Sequence, residues 1–173
     1  MKSRRRQRAK AVLLLLAVLI ALICIWLITN PPGVTRSRIE ADARSGQHIP
    51  ADYQIVQDVS DSTAALLFYG DTADSHVVSI YFNYSGPDLG YHFHTGGSLG
   101  AIADSVAEFS LDGQDTALVS MNRPQVARIE MDNGQTIMID SRKPFAVVIP
   151  RDSGQITLYD SNDQPVEQIA ELM

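Results

Sequence analysis

The chain is poor in cysteine: Cys24 is the only one, and residues 30–173 contain none. A disulfide framework is therefore excluded for those 144 residues, and a hydrophobic core has to stabilise them. That length is enough for one domain and hardly enough for two. The chain also lacks long-period repeats and low-complexity segments, so nothing in it indicates a repeat architecture.

Charge is absent from residues 11–28, "AVLLLLAVLIALICIWLI", where no residue is even strongly polar. As a helix, this run of 18 residues spans roughly 27 Å, close to the ~30 Å hydrocarbon core of a bilayer. A buried helix of a soluble protein normally shows a polar stripe, and this run shows none. The pattern predicts a transmembrane helix over residues 11–29, with the lipid bilayer as its partner.

The same run is too long for the apolar region of a cleavable signal peptide, which has about 7–15 residues. The nearest small-x-small cleavage site, Ala41-Asp42-Ala43, lies more than ten residues downstream of the run. We therefore expect an uncleaved signal anchor.

Negative charge is absent from residues 1–10, which contain six Lys and Arg. All 20 Asp and Glu follow the apolar run together with eight basic residues, so the two parts carry charges of +6 and −12. The positive-inside rule predicts a cytoplasmic basic tail over residues 1–10 and an extracytoplasmic location for residues 30–173. The acidic outer part would repel phosphate backbones, so a nucleic-acid partner is not expected.

Short β-branched and aromatic runs, broken by Gly, Pro, Asp and Asn, fill residues 53–173. Runs at this spacing without intervening helices predict one mainly β domain, an antiparallel β-sandwich or an open barrel. Between this domain and the anchor, residues 30–52 are polar and predict a juxtamembrane spacer, with a short surface helix capped by Ser37 and Glu40. The predicted strands are 53–59, 63–69, 76–84, 89–95, 116–121, 126–131, 135–140, 145–149, 155–159 and 166–169.

Two segments permit more specific predictions. In "VARIEMDNGQTIMID", a three-residue loop at 132–134 pairs Ile129 with Ile137 and keeps one face apolar, whereas a two-residue Asn-Gly turn would mix polar and apolar side chains. The longer loop requires Gly134 in a left-handed conformation. Residues 98–111 combine helical and strand periodicity, and they predict a helical turn that leads into a strand.

The segment "HVVSIYFNYSGPDLGYHFHT" predicts a hairpin whose second strand carries His92 and His94. With a four-residue loop between the strands, alternation places both histidines on the polar face of the hairpin. Tyr81 of the neighbouring strand lies on the same face and pairs with His92. We therefore expect Tyr81, His92 and His94 to form a ligand-contact patch. The predicted pairs are Phe82 with Tyr91, Ile80 with Phe93, Tyr81 with His92, and Ser79 with His94.

His92 and His94 are also the candidate metal ligands, because two histidines at positions i and i+2 of a strand can bind one ion. A zinc site needs a third or fourth protein ligand. His76 is expected towards the apolar face of the hairpin and His48 lies in the predicted spacer, so neither supplies it. We therefore expect no bound metal and no cofactor.

Ser98 is the candidate catalytic residue, because Gly96, Ser98 and Gly100 match the G-x-S-x-G pattern of a hydrolase nucleophile elbow. All four histidines precede Ser98, whereas α/β-hydrolases order their triad as Ser, acid and His. The alternating strands and helices of that fold are missing as well. We therefore expect a glycine-rich turn between two elements.

These patterns together predict a bacterial single-pass membrane protein with an extracytoplasmic β domain. The expected function is a non-enzymatic binding or accessory module of the cell envelope, with an envelope protein or polymer as its partner. One alternative is a sensor or regulatory subunit of a membrane complex. Another is an enzyme or metal-binding protein, a hydrolase with Ser98 or a metal protein with His92 and His94.

Overall fold

The chain divides into two compact units, residues 1–32 and residues 33–173. The computed structural model describes residues 15–26, 32–72, 74–84, 90–166 and 169–172, the last of these by its backbone alone.

In the first unit, residues 15–26 form helix α1, whose large apolar side chains are all exposed. Leu15 is 69% exposed, and even the least exposed of them, Ile23, is 49% exposed. Among the described residues no helix is both long and apolar enough to cross a membrane, so the predicted transmembrane helix is not found there. Residues 11–14 and 27–29 of that prediction lie outside the described part of the chain.

The second unit is mainly β, as the sequence predicts, and its described strands form three sheets. The strands are β1 (Gln54–Val59), β2 (Thr63–Tyr69), β3 (His76–Phe82), β4 (His92–Gly97), β5 (Val106–Phe109), β6 (Thr116–Ser120), β7 (Val126–Met131), β8 (Thr136–Met138), β9 (Phe145–Ile149), β10 (Ile156–Asp160) and β11 (Ile169–Leu172). The first sheet has the order β1-β2-β3-β4, the second β11-β5-β6-β9 and the third β10-β7-β8. The described pairs are antiparallel except for β11 and β5, which run parallel.

The three sheets and helix α2 (Ile39–Gly46) stack in layers, with a hydrophobic cluster in each space between them. Helix α2 covers one face of the first sheet, and the second sheet packs on the other face. The third sheet covers the far face of the second. Strands β2 and β6 are therefore buried on both faces, which explains why their sequences, "TAALLFY" and "TALVS", contain uninterrupted apolar runs.

The two specific sequence predictions are confirmed. Ile129 pairs with Ile137 across the β7–β8 hairpin, and Gly134 has a φ of +83° in the left-handed region. A helical turn, α3 (Gly100–Asp104), leads directly into β5. Of the last predicted strand, residues 166–169, Ile169 belongs to β11, and residues 167 and 168 lie outside the described part of the chain.

The predicted spacer, residues 30–52, instead contributes to the hydrophobic core. Ile39 and Ala43 lie on one face of α2 and are each 1% exposed, and Ile49 is buried in the same cluster. Two apolar residues four positions apart in an otherwise polar stretch give only a weak helical signal. The sequence predicted the helix from the Ser37 and Glu40 pattern, but it did not predict the burial of the helix against the first sheet.

Arg44 holds α2 to the chain that follows it. Its Nε donates to Glu40 Oε1 at 2.8 Å, and its two Nη atoms donate to the carbonyl oxygens of Pro50 and Tyr53, each at 3.1 Å. The guanidinium also lies over the Phe68 ring, 4.8 Å from its centre. This combination of hydrogen bonds and a cation–π contact fixes the end of α2 against strand β2.

Replacing Ile39 by Ala is expected to lower the free energy of unfolding by about 2–5 kcal/mol, because the substitution leaves a cavity between α2 and the first sheet. Helix α2 begins after Arg38 without a side-chain cap, so the predicted capping box of Ser37 and Glu40 is absent. Ser37→Ala is therefore the control and should change the free energy by less than about 0.5 kcal/mol. Urea denaturation followed by circular dichroism measures both, and an Ile39→Ala variant as stable as the wild type would show that α2 is not part of the core.

Candidate functional site

The β3–β4 hairpin carries the predicted site residues, but its register differs from the prediction. The observed pairs are Ile80 with Thr95, Tyr81 with Phe93, and Phe82 with His92. The register shifts by one residue between Ile80 and Tyr81, because β4 has a β-bulge at this point. His94, between the paired residues Phe93 and Thr95, is the extra residue of the bulge. Tyr91 was predicted to pair with Phe82 in the hairpin. Its backbone instead pairs with the backbone of Val34 through two hydrogen bonds of 2.7 and 2.8 Å.

Tyr81 lies on the α2 side of the first sheet, so it does not join His92 and His94 in the predicted patch. Its side chain is 1% exposed, and its hydroxyl donates to Asp42 Oδ2 at 2.8 Å. Burial, with this hydrogen bond and the negative charge of Asp42, raises the pKa of the Tyr81 phenol well above its ordinary value. Alternation correctly predicted that Tyr81 and Phe82 lie on opposite faces of the sheet. It did not predict the helix that covers the face of Tyr81.

Tyr84, two residues beyond Phe82, occupies the position beside the histidines that was predicted for Tyr81. Its hydroxyl lies 3.1 Å from His94 Nδ1, and its ring centre lies 6.0 Å from that of His92. The ring of His94 packs edge-on against Phe82, with 5.0 Å between the ring centres. The i+2 spacing from Phe82 to Tyr84 is the sequence signal that points to this face.

We call Tyr84, His92, Phe93 and His94 the aromatic edge, because they surround the outer strand of the first sheet. Tyr84 is 50% exposed and Phe93 is 49% exposed. Among the described residues of the second unit, the only other large apolar side chain exposed to this degree is Met138, on β8. Val34 pairs with Tyr91 directly before β4. Of the described strands, only β3 pairs with β4 itself, so beyond that bridge the outer side of β4 can accept a further strand.

Ser98, the candidate catalytic residue, lies exposed between β4 and α3. The carbonyl oxygen of the next residue, Leu99, lies 2.9 Å from Nε2 of His76, which is buried.

In the part of the chain that the structure describes, no group of three or more His, Cys, Asp or Glu residues could hold a metal ion. The described neighbours of His92 and His94 are therefore aromatic rings rather than a set of further metal ligands.

The glycines of the G-x-S-x-G pattern have different surroundings. A Cβ atom at Gly96 would collide with the carbonyl oxygen of Val78 and with the side chain of Gln47. A Cβ atom at Gly100 would meet nothing within 4 Å. Gly96 is therefore required for the close approach of β4 to β3, which gives this part of the pattern a packing role.

A second site, which the sequence did not predict, is a polar cleft of about 340 Å³. Asn83 in this cleft is 4% exposed, and its Nδ2 donates to the carbonyl oxygen of Asp61 at 3.1 Å. Among the described residues nothing bonds to Asn83 Oδ1 or to Gln114 Oε1, although both atoms are buried. The residues that line the polar cleft are Asp61, Ser62, Asn83, Gly113, Gln114, Asp115 and Arg151.

The carboxylate of Asp115 is held by the hydroxyls of Ser60 and Ser62 and by the backbone N–H of Arg151, which lies 3.1 Å from Oδ1. Partial burial favours a higher pKa, but these hydrogen bonds and the charge of Arg151 outweigh it, so the pKa of Asp115 lies below its ordinary value. Asp115 is therefore ionised at neutral pH. The guanidinium of Arg151 donates from Nη1 to the carbonyl oxygen of Gly113 at 3.1 Å.

No protein-family model, no curated protein and no solved structure matches the chain. The second unit has two candidate functional surfaces, the aromatic edge and the polar cleft. The aromatic edge combines exposed rings with an outer strand, and the polar cleft contains buried oxygens without partners among the described residues.

Gly96→Ala is expected to lower the free energy of unfolding by about 1–3 kcal/mol, because the added methyl group overpacks β4 against β3. Gly100→Ala is the matched control at the other end of the G-x-S-x-G pattern, and it should not destabilise the protein, since the new methyl group has space. Thermal unfolding of the two variants measures the difference. Equal stabilities of the two variants would contradict the packing role of Gly96.

Asp115→Asn is expected to lower the free energy of unfolding by about 1–2 kcal/mol at pH 7, because the amide is uncharged and has one acceptor oxygen fewer than the ionised carboxylate. The folded pKa of Asp115 is depressed, so its contribution is present above the unfolded pKa of about 3.9 and disappears as the pH falls through the lower folded value. Urea denaturation at pH 7 and pH 3 should show the difference from the wild type shrinking at pH 3. The exposed Asp112→Asn is the control, and a pH-independent difference for Asp115→Asn would contradict this assignment.

Proposed function

We propose that the chain is a membrane-tethered, non-enzymatic binding module of the cell envelope that contacts a protein partner through the aromatic edge. The observation that carries this proposal is the outer strand β4, with Tyr84, His92, Phe93 and His94 around it. Relative to the patch predicted from sequence, the contact surface keeps both histidines and has Tyr84 in place of Tyr81.

The exposed apolar surface of α1 supports the tether. Exposed apolar area is unfavourable in water by roughly 25 cal/mol per Å², and a bilayer would cover it. In the sequence the apolar run extends beyond the described helix on both sides, over residues 11–28. The six positive charges that precede the apolar run favour a cytoplasmic N-terminus. In this proposal residues 30–173 therefore lie on the extracytoplasmic side of the membrane.

The backbone of β4 supports an extended segment of an envelope protein as the ligand. The outer N–H and C=O groups of an edge strand can pair with one more strand, which provides affinity, while neighbouring side chains provide specificity. Tyr84 and Phe93 add half-exposed rings on this strand's border, and aromatic residues are enriched at protein interfaces. The ligand would therefore extend the first sheet beside the aromatic edge.

The proposed topology predicts which engineered cysteines a membrane-impermeant maleimide reaches in intact cells. In a Cys24→Ala background, Ser98→Cys should be labelled without lysis, since Ser98 is exposed and on the outer side. Ser3→Cys should be labelled only after lysis, because it lies in the basic tail. The reverse pattern, or extraction of the chain from membranes by alkaline carbonate, would rule the tether out.

The proposed contact surface predicts where a photo-crosslinker captures the partner. Benzoylphenylalanine at position 93 should form a discrete adduct in the native membrane, whereas the same group at the exposed position 138 should not. Tyr84→Ala combined with His94→Ala should reduce the adduct at position 93 by at least about fivefold, as expected when interface contacts worth more than 1 kcal/mol are lost. Equal adducts at both positions, or an adduct that the double substitution leaves unchanged, would contradict the proposal.

A further inference from the structure

We propose that the polar cleft binds the primary ammonium group of a small cationic ligand, with Asn83 Oδ1, Gln114 Oε1 and the carboxylate of Asp115 as the acceptors. This site is separate from the aromatic edge, and the proposal does not depend on the proposed function. A volume of about 340 Å³ is within the range of small-molecule sites.

The polar cleft contains two buried amide oxygens, Asn83 Oδ1 and Gln114 Oε1, that can accept hydrogen bonds. Most buried polar atoms in proteins have a hydrogen-bond partner, and a buried acceptor without one destabilises the fold by about 1–3 kcal/mol. The orientation of the Asn83 amide is fixed, because its Nδ2 donates to the carbonyl oxygen of Asp61 at 3.1 Å. Its Oδ1 and Gln114 Oε1 are left without partners among the described residues of the cleft, so a donor from outside the protein can satisfy both.

The charged residues that line the polar cleft favour a cationic ligand. Asp61 and Asp115 contribute two negative charges and Arg151 one positive charge, so the lining is net negative. The guanidinium of Arg151 already donates to the carbonyl oxygen of Gly113, and its backbone N–H donates to Asp115. The lining therefore offers mainly acceptors, and its charge attracts cations and repels anions.

An ammonium group matches this acceptor set better than a hydroxyl group does. An ammonium has three N–H donors and no acceptor, so it can satisfy Asn83 Oδ1, Gln114 Oε1 and a carboxylate oxygen at once. A hydroxyl has one donor and would leave an amide oxygen unsatisfied. Hydrogen bonds from a charged donor are also roughly twice as strong as neutral ones.

The test is a titration of the full chain in detergent micelles with 1,5-diaminopentane, followed by the side-chain amide signals of Asn83 and Gln114 in ¹⁵N–¹H spectra. We expect saturable shifts of both signals. The neutral 1,5-pentanediol, which has the same chain length, should shift them at least about tenfold more weakly, equivalent to about 1.4 kcal/mol. Absence of saturable shifts, equal shifts with the diol, or equal shifts with calcium chloride alone would each overturn the proposal.

Gln114→Leu tests the assignment of the acceptor. It removes an unsatisfied buried oxygen and is therefore compatible with folding, which the dispersion of the amide spectrum checks. We expect it to weaken diamine binding by at least about fivefold, monitored at Asn83, since a hydrogen bond to a charged group is lost. Gln135→Leu, at an exposed glutamine of the β7–β8 loop, is the matched control and should leave binding unchanged. Equal affinity of the two variants would overturn the role of Gln114.

Discussion

Burial of strand β2 on both faces is the constraint on which the rest of the fold depends. Residues 30–173 contain no cysteine, so stability has to come from apolar burial. Leu66 and Phe68 of β2 point towards α2, while Ala65 and Leu67 point towards the second sheet. The apolar side chains on each face of β2 have to be buried by a neighbouring element. The polar-looking segment before β1 therefore folds as helix α2 on the first sheet. Strand β6 has the same requirement, and the third sheet meets it on its far side.

The same layered arrangement decides where binding chemistry can lie. At one end of the first sheet, β1 is tied to β9, because Asp58 Oδ2 accepts the backbone N–H of Val148 at 2.9 Å. At the other end, β4 is the outermost described strand, and the aromatic edge surrounds it. The polar cleft lies where loops of the first and second sheets meet, after β1, β3, β5 and β9. A rigid core thus positions both an outer strand and a loop-lined cleft.

Local patterns predicted the strands well and the long-range contacts poorly. Alternation and turn residues gave most strands and the register of the β7–β8 hairpin, because both signals reside within a few residues. The bulge at His94 has no residue signature of its own, since it depends on how two strands twist together. Tyr81 was assigned to the correct face, but the helix that buries it carries Asp42, 39 positions earlier. The polar cleft joins four separate loops, so no local pattern marks it.

Hydrogen exchange of the full chain in micelles tests most directly the central claim, that a core strand buried on both faces supports an outer strand open to a partner. Amides of β2, Thr63–Tyr69, should exchange only through global unfolding and report the full free energy of unfolding. The outward amides of β4, His92–Gly97, should exchange much faster through local opening. Protection of every β4 amide to the level of β2 would contradict the account, because it would mean that the outer edge of the first sheet is already covered.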